Sequence, residues 1–201
     1  MPQADEFDHL EARAAGGDVL AQYNLGVIYY WGRSVPRDLD ASAHWYRKAA
    51  EQGFYRAQNN LGLMYRDGLG VPQEHAEADR LFRMSADQGN KKGQYNLAML
   101  YAGDLDNPAF LPEAYRWMRL AALQGFAPAQ HKLGVMLGWE LAVGQDLVQG
   151  YAWIALSMEG GTEDGAEGNL ETLAGHMTPE QIAEARRLVS SGELMEVNND
   201  E

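Results

Sequence analysis

Ala21-Gln22-Tyr23-Asn24-Leu25-Gly26, followed by Tyr29 and Gly32 and then by Trp45-Tyr46-Arg47-Lys48-Ala49-Ala50-Glu51-Gln52-Gly53, decides the fold, because the pattern returns. Gln22, Gln58, Gln94 and Gln130 stand 36 residues apart, and Leu25, Leu61, Leu97 and Leu133 keep the same step. So do Gly53, Gly89, Gly125 and Gly161. An aromatic column runs Trp45, Leu81, Trp117, Trp153; beside it run Tyr46, Phe82, Met118, Ile154 and the small residues Ala49, Ser85, Ala121, Ser157. A fixed period of this length marks supersecondary units that stack on one another. Four units, 18–53, 54–89, 90–125 and 126–161, share one register with no net insertion.

Each unit reads as two helices. Ala21, Leu25 and Tyr29 fall at i, i+4, i+8, one helical face. Gly32 ends that helix before Val35-Pro36, and Gly68-Leu69-Gly70-Val71-Pro72 is the second copy of the turn. Asp38, Glu74 and Asp146 stand where the second helix starts and are predicted to cap it. Ser42, Trp45, Tyr46, Ala49 and Ala50 form its inner side, so Trp45, Trp117 and Trp153 are assigned to the core. Gly53 supplies the left-handed position after its last turn. Gly26, Gly62 and Gly134 sit inside the first helix, where glycine costs about 1 kcal/mol. The third copy is Ala98, so the requirement is small size, and two helix backbones are predicted to approach closely there.

One such unit cannot bury its apolar faces alone; stacked neighbours can, which predicts one continuous core. Residues 1–17 are expected to form an N-terminal capping helix, with Leu10, Ala14 and Gly17 in register with Tyr46, Ala50 and Gly53. Residues 162–191 are expected to hold a degenerate repeat and a last capping helix opened by Thr178-Pro179-Glu180-Gln181, with Ile182, Ala185 and Leu188 as its packing face. Residues 192–201 are polar and expected to fray. In the third unit Ala102-Gly103-Asp104-Leu105-Asp106-Asn107-Pro108 replaces the turn, and Pro112 predicts a late start for the second helix.

The quoted motif, with Val35 and Asp38 between its halves, resembles the Sel1-like repeat, over about residues 18–161. The 36-residue step separates it from the 34-residue tetratricopeptide repeat, a related pattern. The resemblance implies an all-α, right-handed superhelical solenoid of antiparallel helix pairs, used as an adaptor or scaffold between proteins. Members occur in bacterial and eukaryotic signalling and host interaction, and a bacterial origin is expected here. Some bacterial relatives are cysteine-rich, with a disulfide in each repeat and binding of β-lactam-type compounds. This chain has no cysteine, so that activity is not carried over.

Composition narrows the function classes. Of 201 residues, 46% are hydrophobic and 22% charged, which is ordinary for a globular chain with a real core. The formal net charge is −13, which repels phosphate backbones and anionic membrane surfaces. A protein or peptide partner with a basic patch would be favoured through its association rate. No apolar run approaches the ~20 residues of a membrane span. Met1 to Phe7 lacks the basic and apolar regions of a secretory signal, so a cytoplasmic location is expected, or a periplasmic one if a signal has been cleaved.

Chemistry is hard to find. None of the five histidines has i, i+4 metal spacing with a catalytic glutamate. His44 and His75 read as solvated, while His131 is placed at a groove edge. There is no Gly-x-Ser-x-Gly elbow, phosphate loop or dinucleotide fingerprint. Asp104-Leu105-Asp106-Asn107 lacks the glycine and distant glutamate of a calcium loop. No catalytic residue, cofactor or metal is therefore assigned.

A partner surface is expected on the first helices, which line the concave side in such solenoids. At 100° per residue, positions 24, 27, 28 and 31 point away from the core set. The candidate partner-binding residues are Asn24, Val27, Ile28 and Trp31; Asn60, Leu63 and Met64; Asn96, Met99 and Leu100; Lys132, Val135, Met136 and Trp139. Asparagine amides can hold an extended peptide backbone, Met is a compliant contact, and Trp is enriched at interface hot spots. Columns 27 and 28 can equally pack between repeats. The chain is therefore expected to be a non-enzymatic adaptor, with an enzyme acting on a cell-wall or small-molecule substrate in the groove, or a self-associating structural protein, as the alternatives.

Overall fold

The structure, a computed structural model, describes residues 4–103, 108–140, 144–161 and 165–195. All regular structure in these residues is helical, with no strand. The α-helices are α1 Ala4–Ala15, α2 Val19–Trp31, α3 Leu39–Glu51, α4 Tyr55–Asp67, α5 His75–Asp87, α6 Lys91–Ala102, α7 Leu111–Leu123, α8 Ala127–Gly138, α9 Leu147–Glu159, α10 Ala166–Ala174 and α11 Pro179–Ser191. Short 3₁₀ turns at Pro108–Phe110 and Glu193–Met195 complete the order. The chain forms two compact units, residues 1–93 and 94–201.

Within the first unit, consecutive helices are antiparallel. The Asp38 amide at the start of α3 donates to the Tyr29 carbonyl near the end of α2, at 3.0 Å. Gln52, at the far end of α3, reaches Gln22 near the start of α2. Asp38 caps α3 through its carboxylate, which accepts the Ala41 amide at 2.9 Å. Asp146 caps α9 in the same way. Glu74 does not cap α5 with its side chain; its extra methylene carries the carboxylate past the amides, so that expectation fails.

The stop signal after α3 is a Schellman motif. Gly53, at φ 85°, donates to Ala50, and Phe54 donates to Ala49. The same two bonds recur at Gly89–Ala86 and Asn90–Ser85, and at Gly125–Ala122 and Phe126–Ala121.

In the first unit Ala43, Tyr46, Ala49, Ala50, Ala57, Leu61, Met64 and Leu81 make one buried cluster. Ala14, Ala21 and Leu25 make a second, with Phe7, Leu10 and Trp45 packed against it. The deepest column is therefore Tyr46, Phe82, Met118 and Ile154, all buried, whereas Trp45 and Trp117 are half-buried and only Trp153 is fully enclosed. The indoles of Trp45 and Trp117 keep an edge in solvent, as large side chains often do, while that of Trp153 is covered.

The small residues of the first helices serve that column. A Cβ on Gly26 would lie 2.4 Å from the Tyr46 ring, and one on Gly62 would lie 2.7 Å from the Phe82 ring. What comes close is thus an aromatic side chain, and not the neighbouring backbone as expected. Only in the fourth repeat do backbones meet: a Cβ on Gly134 would lie 2.7 Å from the Gly150 carbonyl oxygen.

In the second unit α7 starts at Leu111, 72 residues after α3 starts at Leu39, with Pro112 in its first turn. The predicted late start is wrong, because proline is tolerated where helix amides have no internal partner. The replaced loop at 104–107 lies outside the described residues. Thr178 and Gln181 form a full capping box on α11, and Ala185 is buried. The chain end is partly ordered where fraying was expected: Leu194 is buried and Arg187 pairs with Glu193. Residues 196–201 lie outside the described set.

Candidate protein-interaction surface

The first helices hold position through glutamine. Gln22, Gln58, Gln94 and Gln130 are all buried. Gln22 Nε2 donates to the Ala14 carbonyl at 3.0 Å, Gln58 Nε2 to Ala50 at 3.3 Å, and Gln130 Nε2 to Ala122 at 3.3 Å. Each bond adds a second donor to a last-turn carbonyl that already accepts the amide of Gly17, Gly53 or Gly125. Gln52, Gln88 and Gln124 then donate to the Oε1 atoms of Gln22, Gln58 and Gln94 at 2.7–2.8 Å. The fourth copy of that donor is Gly160, and Met195 Sδ lies 3.9 Å from Gln130 Nε2 instead.

With that side locked inward, the opposite side of each first helix faces outward. On α2, Leu20, Asn24 and Trp31 are exposed and Val27 is half-buried, one stripe at i, i+4, i+7, i+11. Leu20 is 53% and Trp31 61% exposed, large values for residues of that size. Val27 leans toward the cluster holding Leu61, and Ile28 packs on the cluster of Ala14, Ala21 and Leu25. On α4 the same columns are Arg56, Asn60, Leu63 and Asp67.

In unit two, Asn96, Met99 and Leu100 on α6 and Lys132 and Val135 on α8 are half-buried. Trp139, just past α8, is exposed.

Several candidates are corrected. Met64 and Met136 are buried, and Met64 Sδ accepts from Ser42 Oγ at 3.9 Å. Column 28 thus belongs to the packing in these two repeats and is withdrawn from the accessible surface. Asn60 accepts from Asn59 Nδ2 at 3.3 Å and hydrogen-bonds the Tyr46 hydroxyl, whose ionisation is pushed up by burial. It works between repeats. His131 is buried against Asn169, 2.9 Å from Nε2 to Nδ2, and does not stand at a groove edge. Its burial follows from α10, whose position the sequence leaves vague.

Leu20 and Arg56 are surface residues that the sequence argument misses. Their column reads Leu20, Arg56, Lys92, Pro128, and this mixed chemistry hides the exposure of its first three members.

The carboxylates with shifted ionisation are surface pairs and caps, whereas Tyr29 and Tyr46 are shifted up by burial. Arg80 holds Glu77 below the usual carboxylate range, and Arg187 does the same for Glu184 and Glu193. A bond from the Ala21 amide, then the Arg13 guanidinium, lowers Asp18. Among the described residues no three His, Asp or Glu side chains gather as a metal site.

The Sel1 repeat matches this chain four times, at residues 19–54, 56–90, 91–126 and 127–161. The chain belongs to the Sel1 repeat family. Proteins built from Sel1 repeats generally mediate protein–protein interaction. Among solved structures, a Sel1 repeat protein from Oxalobacter formigenes is similar with a TM-score of 0.74 and 27% identity, over 91% of this chain and 79% of that one. The antigen c5321 of uropathogenic Escherichia coli, with the SLR fold, is similar at a TM-score of 0.50 and 24% identity, over 94% of this chain and 56% of that one. The component HRD3A of an ERAD-associated E3 ubiquitin-protein ligase in Arabidopsis thaliana is 38% identical over 50 residues, 24% of this chain. The chain covers only 7% of that relative's length. Among the described residues no helix is long and apolar enough to cross a membrane.

Proposed function

We propose that this Sel1 repeat protein is a non-enzymatic adaptor that docks a peptide or domain of a protein partner on its first helices. The observation carrying this reading is the outward stripe of Leu20, Asn24 and Trp31 on α2, two large apolar side chains flanking an amide. Trp is among the residues most enriched at interface hot spots, and an amide can both donate to and accept from an extended backbone. Asn24, Val27, Ile28, Trp31, Leu63, Asn96, Met99, Leu100, Lys132, Val135 and Trp139 remain the proposed contacts, with Leu20 added. The shifted carboxylates are accounted for by surface ion pairs and helix caps, which supports a scaffold and not an acid–base site.

A pull-down with purified protein tests this directly. Wild-type protein is expected to retain a partner from its source cells that Trp31→Ala and Asn24→Ala weaken, with the far-ultraviolet circular dichroism unchanged. Retention of every interaction by both variants overturns the reading.

A further inference from the structure

The face proposed for docking has a charge opposite to that of the chain. With 29 acidic residues against 16 Lys and Arg, acid should be everywhere. Yet in the first unit α2 and α4 hold two cations, Arg56 and Arg66, and a single acid, Asp67. Arg66 already neutralises Asp67 through two bonds of 2.7 and 2.9 Å.

Three arginines of the first unit rest on aromatic rings, one of them on Trp31 of the α2 stripe. Arg33 lies over the Trp31 ring at 6.0 Å, Arg37 over Tyr30 at 5.8 Å, and Arg56 over Tyr55 at 5.7 Å. None of these three has a carboxylate partner among the described residues. Of the acids near them in sequence, Asp38 caps α3 and Asp67 pairs with Arg66, while Asp40 and Glu51 are exposed on α3. In a chain this acidic, three arginines resting on aromatic rings are cations left available to an outside anion.

We propose that the first unit takes an acidic peptide segment with two apolar anchors, one on Leu20 and one on Trp31, and its carboxylates on Arg33 and Arg56. This rests on the adaptor reading and names its ligand class. Leu20 and Trp31 are eleven residues apart on α2, about 17 Å at 1.5 Å per residue. An extended peptide covers that in about five residues at about 3.3 Å each, so the segment is short, with its acids beside the two anchors. Guanidinium forks suit carboxylates bidentately, and the excess negative charge elsewhere on the chain disfavours off-site binding of such a peptide. The basic partner that net charge alone suggests fits this face poorly.

Selection from a random dodecamer peptide library displayed on phage, against the full chain, tests the proposal. Recovered peptides are expected to be net acidic with two aromatic or leucine anchors. A synthetic copy of the best one should bind at least tenfold more weakly to Arg33→Glu/Arg56→Glu, and tenfold more weakly at 0.5 M salt. Peptides that are basic, or that have the library's own charge distribution, overturn the ligand class and leave the adaptor reading intact. Recovery of no peptide overturns this proposal, while the pull-down with Trp31→Ala and Asn24→Ala tests the adaptor reading separately. Binding unaffected by Arg33→Glu/Arg56→Glu but lost in Trp31→Ala overturns the charge assignment alone.

Discussion

Gln52 Nε2 donates to Gln22 Oε1 at 2.7 Å, across 30 residues of sequence, while Gln22 Nε2 donates to the Ala14 carbonyl. One buried amide thus ties the end of the preceding helix, the start of a first helix and the end of its own partner helix. Two further repeats copy the relationship through Gln88 to Gln58 and Gln124 to Gln94. Gln58 is fully buried, and Gln58→Ala removes its bonds to the Ala50 carbonyl and to Gln88, although that carbonyl keeps the Gly53 amide and Gln88 Nε2 keeps the Met84 carbonyl. A loss of about 1–3 kcal/mol is expected. Gln88→Ala should cost less, since Gln88 is exposed and water can replace it. Urea titrations of both single variants and the double variant measure the coupling, expected to be positive.

Gly62→Ala should be destabilising by about 1–3 kcal/mol, because the new methyl meets the Phe82 ring at 2.7 Å. The third repeat already contains the compensated pair, Ala98 with Met118, both buried. Adding Phe82→Met to Gly62→Ala is therefore expected to recover part of the loss, since methionine adapts its shape. Thermal unfolding of the two single variants and the double variant checks this; strict additivity would contradict it.

Gly70 and Gly53 both have positive φ, yet their alanine variants should differ. Around Gly53 the space is open, leaving only the backbone cost of about 1 kcal/mol. A Cβ on Gly70 would lie 2.3 Å from the Leu39 carbonyl oxygen, so the α4–α5 turn would have to move away from α3. Gly70→Ala is expected to lower the unfolding midpoint at least twice as far as Gly53→Ala.

The tryptophans separate by burial. Trp153→Ala should cost about 3–5 kcal/mol, and Trp45→Ala clearly less, because Trp45 keeps one edge in solvent. Denaturant midpoints at constant slope decide the order.

Glu77 gives a pH prediction. Its folded ionisation lies below the ordinary 4.5 because Arg80 bonds it. The contribution is therefore complete above that ordinary value and disappears as pH falls through the lower folded one. For a pair this accessible it amounts to about 0.5 kcal/mol. Glu77→Gln should lower stability by about 0.5 kcal/mol at neutral pH, with the difference from wild type vanishing as pH falls below about 4.5, read by urea unfolding across that range.

Much of the fold is legible from spacing, because repetition averages out local ambiguity. Leu39, His75, Leu111 and Leu147 begin the second helices at steps of 36, and the glycine columns mark their ends. What the period cannot say is which of two adjacent columns goes deeper. Trp45 and Tyr46 are neighbours in sequence, and only packing against Gly26 selects the tyrosine. The surface is less legible for the same reason. Positions 27 and 28 differ by 100° on the helix, enough to bury Met64 while leaving Leu63 half-exposed. The glutamine ties are visible afterwards as a 30-residue offset that breaks at Gly160. The arginines on aromatic rings have no periodic signature, since each ring contact is unique to its repeat.

The central claim is that the outward face of α2 holds a protein partner. Photo-crosslinking in the source cells, from a benzoylphenylalanine placed at position 31 and, in parallel, at the exposed position 51 on α3, tests it most directly. The expected result is a discrete crosslinked protein from position 31 that is absent from position 51. Crosslinks from position 51 alone, or none from position 31, would contradict it.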